Sequence, residues 1–170
     1  MLPDRPQQYA MRMGVRIAVD VGKVRVGIAA SDSEGILATP VATATRGKND
    51  IAIVLRLARE KHILEIYIGY PLNMDGSVGS SAKAALSWAR KIQRRLPDIP
   101  VRMIDERLTS VLAHRQLHEA GRAEITHRAV VDQVAAVNIL ESALETERTS
   151  GRVPGISLAE LLPPIGTEHD

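Results

Sequence analysis

The sequence predicts an α/β fold, a mixed five-stranded sheet with helices on both faces, on the strength of three observations. Short β-branched and alanine-rich runs crowd the first third of the chain. Apolar stripes of helical period then alternate with buried apolar runs through the middle. The resulting order of strand, helix, strand, helix, strand calls for right-handed parallel crossovers within one sheet.

"GVRIAVDVG" and "RVGIAASD", separated by "KV", read as a hairpin, and "GILATPVATA" supplies a third strand weakened by Pro40. "NDIAIVLRLAREKH" places Ile51, Val54, Leu55 and Ala58 on one helical stripe behind an Asn49/Asp50 cap, and "ILEIYIGYP" follows as a buried strand ended by Pro71. "SSAKAALSWARKIQRRLP" puts Ala82, Ala85, Leu86, Ala89, Ile92 and Leu96 on one face, and "IPVRMIDE" is the next strand. "TSVLAHRQLHEAG" is a helix starting at Thr109/Ser110 and stopping at Gly121. "THRAVVDQVAAVNILESALETE" is a longer one capped by Thr126. Residues 1–13 form an N-terminal extension and 14–147 the domain. Residues 148–170 form a Gly- and Pro-rich flexible tail in which "ISLAELL" could dock as a short turn of helix. A three-strand meander followed by alternating helices and strands is the outline of a ribonuclease-H-like fold. Sites in such open sheets form at the carboxyl ends of the parallel strands.

Composition narrows the chemistry. At 170 residues, 45% hydrophobic and 25% charged, the chain has the length and make-up of one globular domain. It contains no cysteine, which excludes disulfides, zinc–thiolate sites and cysteine nucleophiles. With no Phe, one Trp and three Tyr, it lacks the residues for an aromatic platform, so a nucleic acid would be held by charge and shape. A net charge of +2 with a pI near 9.1 permits that partner without requiring it. The start of the chain has no apolar signal core and no later run is long enough for a bilayer span, so no membrane association and a cytoplasmic location are expected.

Three acidic positions are costly to fill. Asp20 lies within an apolar central strand, where the simplest role for a lone Asp before Gly is to cap the turn that follows. Asp105 and Glu106 end a later strand. Alternation sends them to opposite faces, so only one can share a pocket with Asp20, and periodicity does not choose between them. Asp132 shares a helical stripe with Ala135, Ala136, Ile139, Leu140 and Ala143, the face that should meet the sheet. One buried carboxylate is ordinarily neutralised by a neighbour such as Arg128. Three converging ones need a divalent cation, and carboxylate-only ligation selects magnesium or manganese.

In order and spacing, "VDVGKVRVGIAASD", "IGYPLNMDGSVG", "IDERLTS" and "VDQVAAVNIL" resemble the motifs of the YqgF/RuvX family of Holliday junction resolvases and ribosomal RNA processing nucleases, over residues 14–146. The resemblance implies a ribonuclease-H-like fold and a metal-dependent phosphodiesterase site with its acids on Asp20, Glu106 and Asp132, choosing Glu106 over Asp105. "THRAVVD" departs from the lysine-rich stretch expected in relatives, which touches only substrate contacts. The reading that follows is a nuclease using two magnesium or manganese ions to cut structured nucleic acid, either an RNA precursor or a four-way DNA junction. Lys23, Arg25, Asn73, Asp75, Arg107 and Arg128 are its expected nucleic-acid contacts. Arg90, Lys91, Arg94 and Arg95 read as the solvated face of an amphipathic helix. A junction resolvase is expected to act as a two-fold homodimer. Two rivals stand beside this reading. One is a non-catalytic module that binds nucleic acid or a ribosome-assembly partner. The other is an actin-like nucleotide-binding protein suggested by "DVGKVRVG", for which the chain leaves no room for a second lobe.

Overall fold

A computed structural model describes the chain over residues 9–108 and 125–161. Its elements are β1 (Val15–Val21), β2 (Arg25–Ser31), β3 (Ala38–Thr45), α1 (Asp50–Glu60), β4 (Ile63–Tyr70), α2 (Ser80–Arg95), β5 (Val101–Asp105), a 3-10 turn at Glu106–Leu108, α3 (Ile125–Ser150), β6 (Ile156–Ser157) and α4 (Leu158–Leu161). The helix expected over "TSVLAHRQLHEAG" lies outside the described residues, as do the side chains of Arg128 and Asp132.

The sheet has six strands, in the order β3-β2-β1-β4-β5-β6. The β1–β4 and β4–β5 pairs are parallel and the rest antiparallel. The five-strand expectation is therefore corrected by β6, which falls in the segment set apart as a tail. Two residues suffice because the segment is pinned from both sides. Arg102 Nε and Nη2 donate to the carbonyls of Pro154 and Gly155, and Leu158 is buried in the core. Gly155 has φ +75°, and a Cβ there would lie 2.5 Å from the Met103 carbonyl oxygen, so no larger residue fits the approach. At the other edge Pro40 sits on β3 beside a register shift, where a missing N–H costs the ladder least.

Strand alternation sorts two cores. Ile17, Val19, Ile66, Ile68 and Met103 face α1, α2 and α4, packing with Val54, Leu57, Trp88 and Ile92. Ala18, Ala29, Tyr67 and Ile104 face α3, meeting Ala135, Ala136, Ile139, Leu140 and Ala143. Small side chains on both partners let α3 lie close to the sheet. α1 buries Val54 and Leu57, with Ile51, Leu55 and Ala58 at the flanks. Its Asn49 makes no side-chain cap. Asp50 instead accepts the Gly47 N–H at 3.1 Å and the Trp88 indole N–H at 2.9 Å. α3 begins at Ile125, so Thr126 lies within it rather than capping it.

An ion-pair network fixes the direction of α3. Arg12 grips Glu65 with both terminal nitrogens, at 2.7 and 3.1 Å, and reaches Glu147 at 2.5 Å. Arg16, fully buried at the start of β1, donates to the same Glu147 at 3.1 Å. Burial opposes the charge on Glu147, but the hydrogen bonds from Arg12 outweigh it and hold the carboxyl below its usual range. The end of α3 is thus tied to the amino end of β1, and its earlier turns run toward the carboxyl ends of the parallel strands. Arg12, which lies in the expected extension, bonds to Glu65 on β4 and Glu147 on α3.

Candidate functional site

The site begins with a glycine. β1 and β4 run side by side, with Val19 opposite Ile68, so the next residues along them are Asp20 and Gly69. Both belong to the α3 side of the sheet. Gly69 leaves a gap in that surface, which the side chain of Glu106 fills. A Cβ on residue 69 would lie 2.4 Å from Glu106 Oε1 and 2.8 Å from Ile139 Cδ1. Asp20 is 3% exposed and Glu106 1%. Two carboxylates are therefore buried on one face, at the carboxyl end of the parallel strands and under α3. Asp132 precedes Ile139 by seven residues on α3, about 10 Å along the helix axis, and its side chain lies outside the described residues.

Asp105 goes the other way. Arg107 donates to it from Nε at 3.1 Å and from Nη2 at 2.7 Å, and from Nη1 to the Met74 carbonyl at 3.3 Å. Hydrogen bonding from Arg107 holds the Asp105 carboxyl below the ordinary range. Burial, helped by the charge of Asp105, pushes the Glu106 carboxyl up to about 7. Adjacent acids in the chain thus have different environments, Asp105 half-buried and held by Arg107, Glu106 dry and costly to ionise.

Other expected contacts are partly engaged. Lys23 is exposed in the β1–β2 turn, which the Gly22 N–H closes onto the Arg25 carbonyl at 2.9 Å, and Arg25 is half-buried. In the loop 71–79, Asn73 Nδ2 donates to Ser77 Oγ at 2.9 Å. Asp75 accepts the Ser77 N–H at 2.9 Å and its hydroxyl at 2.6 Å. Those bonds lower the Asp75 carboxyl and leave a self-braced loop anchored to Arg107. The polar groups of Asn73 and Asp75 are engaged in shaping this loop.

Gly69 is not among the site residues expected from the sequence. Its signal was present, because a lone glycine in a β-branched strand marks a bulge or a close approach. Gly69→Ala is expected to cost about 1–3 kcal/mol through overpacking. It should also return Glu106 toward an ordinary carboxyl titration as the side chain is displaced to water. Thermal denaturation and carboxyl-resolved NMR titration check the two effects.

Comparison with known proteins identifies the family. The family model described as "RuvX: Holliday junction resolvase" matches residues 14–146. A protein of Kineococcus radiotolerans named "Putative pre-16S rRNA nuclease" is 52% identical over 148 residues, covering 85% of this chain and 78% of the relative. One of the same name from Nocardioides sp. is 46% identical over 150 residues, covering 85% and 96%. Among solved structures, T. thermophilus RuvC in complex with a Holliday junction substrate superposes with a TM-score of 0.50 at 12% identity, covering 82% of this chain and 98% of that one. That likeness is one of fold, and the sheet described above is ribonuclease-H-like. By the extent of the family match and the identity to these relatives, the chain is a member of the RuvX family.

Proposed function

We propose that the chain is a divalent-metal-dependent nuclease that hydrolyses phosphodiester bonds in structured nucleic acid, with a ribosomal RNA precursor as its substrate. The observation that carries this reading is the burial of Asp20 and Glu106 on one face at the carboxyl end of the sheet. The names of the relatives favour the RNA precursor.

The residues fit a hard cation. The donors are carboxylate oxygens, and the chain has no cysteine to recruit a softer metal. Glu106, dry and raised to about 7, gives up its proton readily once positive charge is placed beside it. Among the described residues no cluster of three His, Cys, Asp or Glu side chains is assembled for a metal, and Asp132 is proposed as the third ligand beside Asp20 and Glu106. Magnesium or manganese bound there would lower the pKa of a water and stabilise charge on the phosphate. The chain's own part is to hold the acids rigidly. Asp20 is fixed by strands on both sides, and Glu106 is wedged between Gly69 and α3. Arg107 keeps Asp105 out of the site and braces the loop 71–79. Lys23, Arg25 and Arg128 are proposed to steady the phosphate chain, which requires no base-specific contact.

Purified protein should be tested on a labelled ribosomal RNA precursor, a four-way DNA junction and a matched duplex, in magnesium, in manganese and in chelator. Metal-dependent cutting of the precursor to a 5′ phosphate and a 3′ hydroxyl is the expected result. Cutting confined to the junction would move the activity to DNA. Tight binding in chelator with no cutting in either metal would favour the non-catalytic module.

A further inference from the structure

We propose that a basic cavity between α1 and α2 grips a backbone phosphate of the bound nucleic acid at a second point, away from the carboxylates. The proposal rests on the nuclease reading only for the class of substrate. The cavity, of about 240 Å³, is lined by Arg46, Lys48, Asp50, Ser87, Trp88 and Lys91. Three cations thus come from two separate segments, the β3–α1 turn and the exposed side of α2, to one concavity. Among the described residues none of the three is ion-paired with a carboxylate. The single acid does not cancel them. Asp50 is 2% exposed, with one oxygen occupied by the Gly47 N–H and the Trp88 indole, so the four charges sum to two positive. Like charges gathered round a hollow repel one another until an anion enters.

The ligand chemistry follows from the lining. Trp88 is 4% exposed and its indole N–H is committed to Asp50, so it offers no face for a base to stack on. Lysine and arginine around a hollow whose mixed lining includes Ile51 and Ala84, with a hydroxyl at Ser87, suit a phosphate oxygen read by charge.

Continuity with the carboxylates identifies the phosphate as part of a long strand. Arg46 Nη1 donates to the Gly22 carbonyl at 3.2 Å, and Gly22 is two residues beyond Asp20. The exposed Lys23 lies next to it. A chain of phosphates leaving the carboxylates can therefore pass over the β1–β2 turn and reach the cavity without crossing an acidic surface of this turn. Lys91, which sequence periodicity assigns to a solvated helix face, has a partner by this account.

The test measures binding in chelator, so that no cutting is needed. Affinities of a labelled hairpin RNA with a single-stranded extension and of a four-way DNA junction are taken over a range of salt for the unmodified protein, for Lys48→Gln/Lys91→Gln and for Arg94→Gln/Arg95→Gln. The last variant removes the same charge from exposed positions outside the cavity. Lys48→Gln/Lys91→Gln should weaken binding by on the order of tenfold for each phosphate no longer held at 0.1 M salt, and flatten the salt dependence by about one counterion for each. The Arg94/Arg95 variant should change either quantity by much less. Equal effects of the two variants, or an unchanged salt slope for Lys48→Gln/Lys91→Gln in a protein of unaltered melting temperature, would overturn the proposal while leaving the nuclease reading intact. Failure of the unmodified protein to bind either probe would overturn both.

Discussion

Asp20→Asn is expected to reduce metal-dependent cleavage by on the order of a thousandfold, because a bound cation supplies several kcal/mol to the transition state and each ~1.4 kcal/mol is a factor of ten. The fold should remain as stable as before or gain slightly. An amide matches the carboxylate in size, so packing inside β1 is kept, and in the metal-free protein the substitution removes one of the two acids buried near the Gly69 end of that face. Charge and one strong acceptor are what the metal loses. Single-turnover cleavage in manganese and thermal denaturation in chelator separate the two effects. A loss of stability of about 3 kcal/mol or more, the cost typical of breaking a buried ion pair, would show that the Asp20 charge is holding the fold together and not a metal.

The strands and both amphipathic helices were legible in the sequence because their apolar periods are clean. Asp20, Ala18 and Arg16 share one face of β1 by simple alternation. Less was legible where stability comes from distant partners. β6 is two residues long and has no periodicity, and it joins the sheet because Arg102 and the turn at Gly155 hold it there. Trp88 escaped the predicted stripe of α2, since its burial depends on an indole bond to Asp50, 38 residues away in sequence. The Arg12–Glu65–Glu147–Arg16 network joins residues up to 135 apart, and nothing local in the chain announces it.

The site follows the same division. Position on a strand register follows from sequence, so Asp20 could be placed on the face turned toward α3. The environment of Glu106 could not be read in this way. It depends on the missing side chain of Gly69 and on the nearness of Ile139, which meet it only in three dimensions. Arg107 illustrates the converse: a cation beside acids suggests phosphate binding, but its guanidinium first serves Asp105 and the Met74 carbonyl. Clustering of Arg46, Lys48 and Lys91 was hidden for a related reason, because two segments well apart in sequence supply it.

Glu106→Gln and Asp105→Asn should behave as opposites. Glu106→Gln is expected to remove metal-dependent cleavage as thoroughly as Asp20→Asn, whereas Asp105→Asn should alter the rate modestly, through an ion pair with Arg107 that is open to solvent and worth about 1 kcal/mol or less. Their effects on stability also differ in sign with pH. Below about 4.5, the ordinary value for a glutamic acid, Glu106 is protonated in the folded and unfolded chains alike and contributes nothing. As the pH rises from there to about 7, the unfolded chain ionises while the folded one keeps its proton, so metal-free stability falls. The fall is roughly 3 kcal/mol at most, since each tenfold change in proton affinity is worth ~1.4 kcal/mol. Glu106→Gln removes that decline and should melt higher than the unmodified protein at pH 7 in chelator. Asp105, held low by Arg107, contributes stability that is present above its unfolded value and is lost as the pH falls through its lower folded one. Asp105→Asn therefore loses stability at neutral pH and little in acid. The mechanism lies in which face of the sheet each side chain takes where β5 passes into the 3-10 turn, because only the α3 side at this strand end is shared with Asp20. Melting curves from pH 4 to 8 in chelator, with cleavage in manganese alongside, test the pair. Cleavage that survives Glu106→Gln and disappears in Asp105→Asn would exchange their roles. Cleavage unaffected by either substitution would place the nuclease chemistry elsewhere and leave a nucleic-acid-binding module as the better description.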